Sequence, residues 1–153
     1  MMSSAAGRGR LGDMDSSWTF HHLGVACSSI ERASGAYTSL GYRLESTFED
    51  PIQGVAGAFY VGSGPRYELL SDLPGRETVA PWILRRMPTV YHQAWLVPDL
   101  DAALSSMRSS GGRPTGDPAE SVYFHGPIVF VMTKAMVLVE LIQPGPNFDP
   151  ALR

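Results

Sequence analysis

The sequence is short of cysteine, of charge and of long apolar runs. Its single cysteine, Cys27, cannot form a disulfide within the chain, which excludes a disulfide-held secreted scaffold and favours a reducing, cytoplasmic compartment. No apolar run approaches the roughly 20 residues that a membrane-spanning helix needs; the longest, 128–132 and 135–139, have the length of strands. A net charge of −3 gives no basic excess, which argues against a general nucleic-acid binder.

The composition suits one packed domain. The 153 residues are 44% hydrophobic and 18% charged, whereas a disordered chain would be poorer in apolar residues and richer in charge. The N-terminus is rich in Ser, Gly and Arg and lacks the apolar segment of a signal peptide. We therefore expect a disordered lead-in over residues 1–17 and a single domain over residues 18–153.

An internal duplication is the most informative feature of the sequence. Two pairs of stretches align: FHHLGVA (20–26) with VYHQAWL (90–96), and YELL (67–70) with VELI (139–142). The first alignment brings His22 onto His92, and the second brings Glu68 onto Glu140. Two halves of the chain therefore carry one histidine and one glutamate each, at matching positions.

Each half has the same predicted order of elements, β-α-β-β-β. Alternating β-branched and aromatic residues predict the strands, while apolar stripes between a Ser or Asp cap and a Gly stop predict the helices. The predicted elements are strands 19–27, 42–49, 55–62 and 66–70 with helix 29–40, then strands 90–97, 112–116, 127–133 and 136–142 with helix 99–110. The modules span 18–75 and 90–146, and the linker between them, 76–89, has a predicted short helix at 79–86. One such module leaves a sheet face uncovered and two can share a curved sheet, which predicts the α+β class.

Glu140 is an acid in a strand, MVLVELI, whose other residues are all apolar. An unpaired carboxylate buried there would cost several kcal/mol or would stay protonated, whereas a divalent cation would pair with it. Two histidines and two glutamates at matching strand positions make a reasonable site for Zn²⁺, Ni²⁺, Co²⁺, Mn²⁺ or Fe²⁺. The candidate ligands are His22, Glu68, His92 and Glu140.

Ordinary structural roles remain open for the same residues. The two histidines could be satisfied core residues, Glu68 could be a rim carboxylate paired with Arg66, and Glu140 could be a buried acid bonded to Tyr or Trp. His21 is expected on the strand face opposite His22. His125 is expected in a solvated loop. Two arginines and four aromatic residues could serve a pocket or have only structural roles: Arg85, Arg86, Tyr60, Trp95, Tyr123 and Phe124.

A family resemblance rests on four stretches: FHHLGVACSSIERASGAYTSLGY, GPRYELLSDLPG, VYHQAWLVPDLDAAL and VLVELIQP. They cover most of the chain from Phe20 to Pro144 and resemble the vicinal oxygen chelate superfamily, which includes glyoxalase I, methylmalonyl-CoA epimerase, extradiol dioxygenases and bleomycin-resistance proteins. The resemblance implies two βαβββ modules in a partly open, cup-shaped β-barrel with flanking helices, a divalent metal inside it and a homodimer. Carried over by position, it implies the same four metal ligands.

The epimerase-like branch is the most similar, through HLGVAC and VELIQP, but one position departs from it. Epimerases resemble this chain around DPIQGVAGAFYV and place a catalytic carboxylate where Gly57 aligns, and glycine cannot move a proton. We therefore expect a metal-dependent epimerase or isomerase that moves a proton next to a carbonyl through a stabilised enolate, with Glu140 as the base and Glu68 as the second choice. The substrate would be a small acyl-CoA, a keto-sugar or cyclitol, or a natural-product intermediate.

Three other functions stay open. A glyoxalase-type lyase would act on a thiol hemithioacetal, and glyoxalase I is similar in having a carboxylate at the second ligand position. A non-catalytic drug-binding or resistance protein would use an apolar pocket without a metal. An iron-dependent dioxygenase would need two histidines with one carboxylate, and this interpretation is favoured only if Glu68 is not a ligand.

Overall fold

The computed structural model describes residues 17–153. The predicted lead-in over residues 1–17 therefore lies, except for Ser17, outside the described residues. The strands are β1 (Thr19–Ala26), β2 (Arg43–Asp50), β3 (Val55–Val61), β4 (Tyr67–Asp72), β5 (Thr89–Leu96), β6 (Arg113–Pro114), β7 (Ala119–Ser121), β8 (Gly126–Met132) and β9 (Leu138–Ile142). The helices are α1 (Ile30–Ser39) and α2 (Leu100–Ser109), and single 3₁₀ turns span Ala80–Trp82 and Pro150–Leu152.

In this described part of the chain, all nine strands form one sheet. Its order is β2-β3-β4-β1-β5-β9-β8-β6, and β7 also pairs with β8. The first strand of each half lies at the centre, where β1 and β5 pair antiparallel, and each is parallel to the last strand of its own half, β4 or β9. The predicted α+β class and the two βαβββ modules are thus confirmed. The sheet is an open cup rather than a closed barrel.

The two helices begin and end by the same local chemistry. The side chains of Ser29 and Asp99 accept hydrogen bonds from backbone N–H groups three residues later, at 3.2 and 3.0 Å. Gly41 and Gly111 follow the helices with φ of +85°, a left-handed conformation that glycine adopts without strain. The helices therefore lie where the caps and stops in the sequence predict them.

Each helix covers one half of the same sheet face, and we call the opposite face the inner face. Helix α1 packs over Cys27 and Leu69, and α2 packs over Val139 and Leu141. Cys27 is thus a small buried hydrophobe. Because side chains alternate along a strand, the residues next to these leucines and valines point to the inner face.

The linker between the halves differs from the prediction of a helix at 79–86. Only Ala80–Trp82 forms a 3₁₀ turn, and the carboxylate of Asp72 accepts hydrogen bonds from the N–H groups that start it. Arg85 and Arg86 then adopt φ of 51° and 59° in a tight turn bounded by a bridge between Leu84 and Met87. The short strand β7 was also absent from the prediction.

Two irregularities in the pairing of β1 with β5 reorient the residue before each repeated histidine. One register shift lies between Phe20 and His22, which leaves His21 as an extra residue in β1. The other lies opposite Gly24 and Val25, where Tyr91 is the extra residue in β5. Such bulges place successive side chains on one side of a strand.

None of the helices within residues 17–153 has the length and apolar character required to cross a membrane.

Asp50 connects the two halves through its buried carboxylate. This group accepts hydrogen bonds from the backbone N–H of Gln53 at 3.0 Å, from its side-chain amide at 2.8 Å, and from the N–H of Val122 in the second half at 3.2 Å. No part of Asp50 is exposed to solvent. The end of β2 is thereby tied to the turn that follows β7.

Replacing this carboxylate tests how much it stabilises the fold. Asp50→Ala should lower the free energy of unfolding by roughly 2–3 kcal/mol, because it leaves buried donors without an acceptor. The neighbouring exposed Glu49 provides the control, and Glu49→Ala should change stability by less than about 0.5 kcal/mol. Urea denaturation measures both, and equal stabilities of the two variants would contradict the assignment.

Candidate metal centre and active site

Four side chains from the central strands meet on the inner face of the sheet. His22 comes from β1, Glu68 from β4, His92 from β5 and Glu140 from β9. One candidate ligand atom from each lies within 4.8 Å of all the others, and all four residues are at least 95% buried. The structure thus brings together all four residues that the duplication singles out.

The distances within this cluster match those between ligands of one cation. His22 Nε2 lies 2.9 Å from Glu68 Oε2 and 3.4 Å from Glu140 Oε2. His92 Nε2 lies 3.1 Å from Glu140 Oε2 and 3.6 Å from Glu68 Oε2, and the two Nε2 atoms are 3.3 Å apart. Donors about 2.1 Å from a shared cation are separated by about 3.0 Å in octahedral and about 3.4 Å in tetrahedral geometry.

Burial and mutual attraction act in opposite directions on these groups. Burial alone would lower the pKa of His22, but Glu68 and Glu140 reverse this and raise it to about 9. The pKa of His92 is also raised by the two carboxylates against the effect of burial. Conversely, burial would raise the pKa of both glutamates, whereas the adjacent imidazoles hold each below its usual value. Both carboxylates therefore stay ionised.

The donor set fits a divalent cation. The two imidazole Nε2 atoms lie 3.3 Å apart, and each also lies beside a carboxylate oxygen, so two nitrogen and two oxygen donors converge on one point. Glu140 Oε2 is buried and has no donor of acceptable hydrogen-bond geometry among residues 17–153. Two nitrogen and two carboxylate donors suit Zn²⁺ and the other first-row ions named above. The four residues could hold such an ion.

Gly24 makes room for His92. These two residues are directly paired across β1 and β5, and a Cβ atom at position 24 would overlap the imidazole of His92. Only the absence of a side chain allows the ring to reach the other three residues. The glycine in the repeated stretch FHHLGVA therefore has a role at the site.

A cavity of about 220 Å³ opens above the cluster, and Glu68 and Glu140 lie in its wall. Among the described residues that line it, these two carry the only formal charges. Six of the other thirteen lining residues are aromatic: Phe48, Trp82, Tyr91, Tyr123, Phe124 and Phe130. The rest are the aliphatic Val55, Leu70 and Leu138 and the polar Gln53, Thr78, Thr115 and Ser121. A ligand bound there would thus be shielded from water and would contact ring faces and edges.

Phe48 occupies the space beside Gly57, where the resembling epimerases place a carboxylate. The two residues pair across β2 and β3, and a Cβ atom at Gly57 would overlap the Phe48 ring. Phe48 also packs against Tyr123 at 5.0 Å between ring centroids. An aromatic ring thus fills the space beside Gly57, and strand β3 contains no acid.

Several alternative roles are resolved by position. Arg66 pairs with Glu45, with Nη2 3.3 Å from Oε1, so Glu68 is not a rim carboxylate neutralised by that arginine. His125 is exposed, with φ of 52°, and does not line the cavity. Arg85 and Arg86 are likewise exposed and away from it.

The four candidate aromatic residues divide equally between cavity and core. Tyr123 and Phe124 line the cavity. Tyr60 packs in the cluster beneath α1, and Trp95 packs against the cluster beneath α2. Sequence alternation alone could not separate these cases, because all four residues are on or beside strands.

His21 lies inside the cup, not on the opposite strand face as predicted. It is 2% exposed, and its Nδ1 lies 2.8 Å from Nδ1 of His22. The bulge in β1 is the physical reason. At the aligned position in the second half, the bulge in β5 turns Tyr91 into the cavity wall, where it stacks on Trp82 at 5.4 Å. The one feature of the sequence that relates His21 to Tyr91 is the alignment of HH at 21–22 with YH at 91–92.

The comparisons with known proteins agree with this geometry. The family model of the Glyoxalase/Bleomycin resistance protein/Dioxygenase superfamily matches residues 21–130. The chain belongs to this superfamily. A search of curated proteins found no match.

Solved structures of the superfamily include methylmalonyl-CoA epimerases that resemble this chain. The epimerase from Mycobacterium tuberculosis is 27% identical, with a TM-score of 0.71 over 84% of this chain and 89% of that one. A variant of the Streptomyces coelicolor epimerase in complex with 2-nitronate-propionyl-CoA is 26% identical, with a TM-score of 0.65 over 82% and 96%. A hypothetical protein from Bacillus halodurans C-125 is 23% identical, with a TM-score of 0.74 over 87% and 99%, and shares the fold.

Filling the space beside His92 tests the role of Gly24. Gly24→Ala should push the imidazole out of the cluster and weaken Zn²⁺ binding by about 10–100-fold, the usual cost of disturbing the support of a ligand. Gly35→Ala is the matched control, because a Cβ atom on this glycine of α1 meets nothing within 4 Å. It should leave Zn²⁺ affinity unchanged and raise helix stability by about 0.5–1 kcal/mol. Competition with a chelator measures the affinities, and equal values for both variants would contradict this role.

Proposed function

We propose that this protein is a metal-dependent isomerase or epimerase that moves a proton next to the carbonyl of a small oxygenated substrate. The observation that carries the proposal is the buried cluster of two imidazoles and two carboxylates at the wall of a cavity lined mainly by aromatic and aliphatic side chains. Membership of the superfamily and the likeness to methylmalonyl-CoA epimerases support the same reaction class.

We take His22, Glu68, His92 and Glu140 as the residues that hold the divalent cation. When bound, the cation would supply Lewis-acid stabilisation of the negative charge that develops on the substrate carbonyl oxygen. Each half of the fold contributes one imidazole and one carboxylate, and the two carboxylates balance the charge of a divalent ion.

Glu140 is our candidate for the catalytic base, and Glu68 is the second. Both carboxylates are ionised, because the imidazoles lower their pKa values, and both lie in the cavity wall where they can reach a bound substrate. Glu140 Oε2 has no well-aligned hydrogen-bond donor, which leaves it free to accept the proton adjacent to the carbonyl. Delivery of that proton by Glu140 to the neighbouring carbon gives an isomerisation. An epimerisation requires a proton on the opposite side of the original carbon, which Glu68 would supply after taking one from solvent, while Glu140 releases its own proton to solvent.

The cavity wall favours a substrate whose reacting part is compact and weakly polar. Nine aromatic or aliphatic side chains in the wall exclude water from the reacting carbon, whereas the four neutral polar ones, Gln53, Thr78, Thr115 and Ser121, would serve only some of the hydroxyl groups of a polyhydroxylated compound. An acyl-CoA with its nucleotide outside the cavity, or a natural-product intermediate, therefore suits the wall better than a keto-sugar or cyclitol. The acyl-CoA analogue in the Streptomyces coelicolor epimerase complex is consistent with the first of these.

Hydrogen exchange with solvent tests the proposal without knowledge of the true product. Protein loaded in turn with Zn²⁺, Ni²⁺, Co²⁺, Mn²⁺ or Fe²⁺ is incubated in D₂O with methylmalonyl-CoA, an aromatic α-hydroxyketone, a keto-sugar and a keto-cyclitol. We expect NMR spectra to lose the signal of the proton next to the carbonyl for at least one substrate. Glu140→Gln should slow this exchange by about 10²-fold or more, because it removes the base.

Glu45→Gln is the control for the exchange experiment, because Glu45 is a partly buried carboxylate that pairs with Arg66 and does not line the cavity. Its exchange rate should equal that of the unaltered protein. Metal content is measured for every variant, so that loss of the ion is distinguished from loss of the base. Absence of exchange across the whole panel would refute the proposed reaction.

A glyoxalase-type lyase is the second candidate, and it is favoured by the combination of a carboxylate at position 68 and a glycine at position 57. The second ligand position carries a carboxylate, as in glyoxalase I, and the position of the epimerase carboxylate carries no acid. Metal-loaded protein given methylglyoxal and a thiol should then form a thioester, which chromatography detects. Omission of the thiol is the control, and exchange activity without thioester formation would exclude this candidate.

Protein purified without any bound divalent metal would instead favour a drug-binding protein.

A further inference from the structure

We infer that His21 is a positioning residue that fixes the ring of His22 and keeps Nε2 of His22 available to a cation. This inference rests on the proposed function, because it concerns the same metal site. It is carried by an unbroken chain of hydrogen bonds that runs from the backbone near the C-terminus to the cluster. Nothing in the repeated sequence pattern requires a histidine at this position, since its counterpart is Tyr91.

Both consecutive histidines are enclosed on the inner face. The bulge between Phe20 and His22 turns the two side chains to the same side, where they are 2% and 0% exposed. The ring of His21 packs edge-on against Phe59 and Phe124, with centroids 5.7 and 5.1 Å away. Water cannot therefore substitute freely for either hydrogen-bond partner of His21.

The positions of the protons follow from the partners of His21. Its Nε2 lies 2.6 Å from the carbonyl oxygen of Leu152, and a carbonyl can only accept, so Nε2 carries a proton. The ring of His21 is buried against Phe59 and Phe124 and forms no ion pair with any described acid, so a charge on it would be unpaired. The ring is therefore neutral, and its Nδ1 carries no proton. Since that Nδ1 lies 2.8 Å from Nδ1 of His22, the latter must be the donor.

The proton on Nδ1 of His22 decides what the other ring nitrogen can do. To bind a cation, His22 must be neutral, and a neutral imidazole carries a proton on only one nitrogen. With that proton on Nδ1, Nε2 presents its lone pair to the cluster. Without an acceptor at Nδ1, the ring could instead carry its proton on Nε2 and donate it to Glu68, whose Oε2 is 2.9 Å away. That arrangement would compete with a cation. His21 therefore stabilises the tautomer that binds metal.

The two halves of the fold differ in this respect. Nδ1 of His92 is buried and has no hydrogen-bond partner among the described residues. Tyr91 contacts the His92 ring edge-on, with centroids 4.5 Å apart, and stacks on Trp82. Among the described residues, only His22 therefore has a hydrogen-bond partner at Nδ1. Substitutions at positions 21 and 91 should consequently have unequal effects on metal affinity.

The chain of hydrogen bonds is anchored by the 3₁₀ turn Pro150–Leu152. The side chain of Asp149 accepts a hydrogen bond from the N–H of Ala151 at 2.9 Å and starts this turn. Phe148 is buried and packs against Phe124 with ring centroids 5.2 Å apart. The carbonyl of Leu152 is therefore a fixed acceptor that selects the orientation of the His21 ring.

The first test is Zn²⁺ affinity, measured by competition with a chelator on the full chain. His21→Phe keeps a ring but removes both hydrogen bonds, and we expect it to weaken Zn²⁺ binding by about 10–100-fold. His21→Asn retains an acceptor next to Nδ1 of His22 and should restore much of that loss. Tyr91→Phe is the matched control at the aligned position and should leave the affinity unchanged. Thermal unfolding of each metal-free variant separates loss of the site from loss of the fold.

The second test is the tautomer of His21, read from long-range ¹⁵N–¹H correlations with and without Zn²⁺. We expect its proton on Nε2 in both states. A proton on Nδ1, or equal Zn²⁺ affinities for His21→Phe and Tyr91→Phe, would overturn the inference while leaving the metal site intact. If the unaltered protein binds neither Zn²⁺ nor any of the other four ions, the proposed function fails and this inference fails with it.

Discussion

The attraction between two buried carboxylates and two buried imidazoles is the interaction on which the rest of the site depends. Glu68 and Glu140 stay ionised on strands packed among apolar residues only because His22 and His92 lie within about one hydrogen-bond length of them. Each group would be costly to bury alone. This constraint explains why both central strands of the sheet carry a histidine and why the parallel strand beside each carries a glutamate.

The chemistry of the cavity follows from what surrounds these charges. Phe48 covers the place beside Gly57, and Tyr91 and Trp82 form a stacked pair in the same cavity wall. Among the described residues that line this cavity, Glu68 and Glu140 are the two acids, and an aromatic ring lies beside Gly57. The proposed assignment of proton transfer to these two carboxylates follows from that distribution.

Much of the fold and the membership of the site could be predicted from the sequence. Capping residues and glycine stops locate both helices, and the duplication selects His22, Glu68, His92 and Glu140 without any compact motif. The orientation of His21 and Tyr91 could not be predicted, because a bulge depends on the pairing of two strands distant in the chain. The linker also differs from the predicted helix. Asp72 accepts hydrogen bonds from backbone N–H groups seven and eight residues later, and the spacing of apolar residues does not reveal such a contact.

The division of the cluster between the halves has a consequence for the ancestry of the fold. Each module provides only one nitrogen and one carboxylate donor, too few to enclose an ion, and the two donor pairs meet only across the seam between β1 and β5. An unduplicated ancestor could have assembled the same coordination sphere only by joining two identical chains along that seam. In one continuous chain the residues before the two histidines need not match, and here His21 contacts the C-terminal turn whereas Tyr91 lines the cavity.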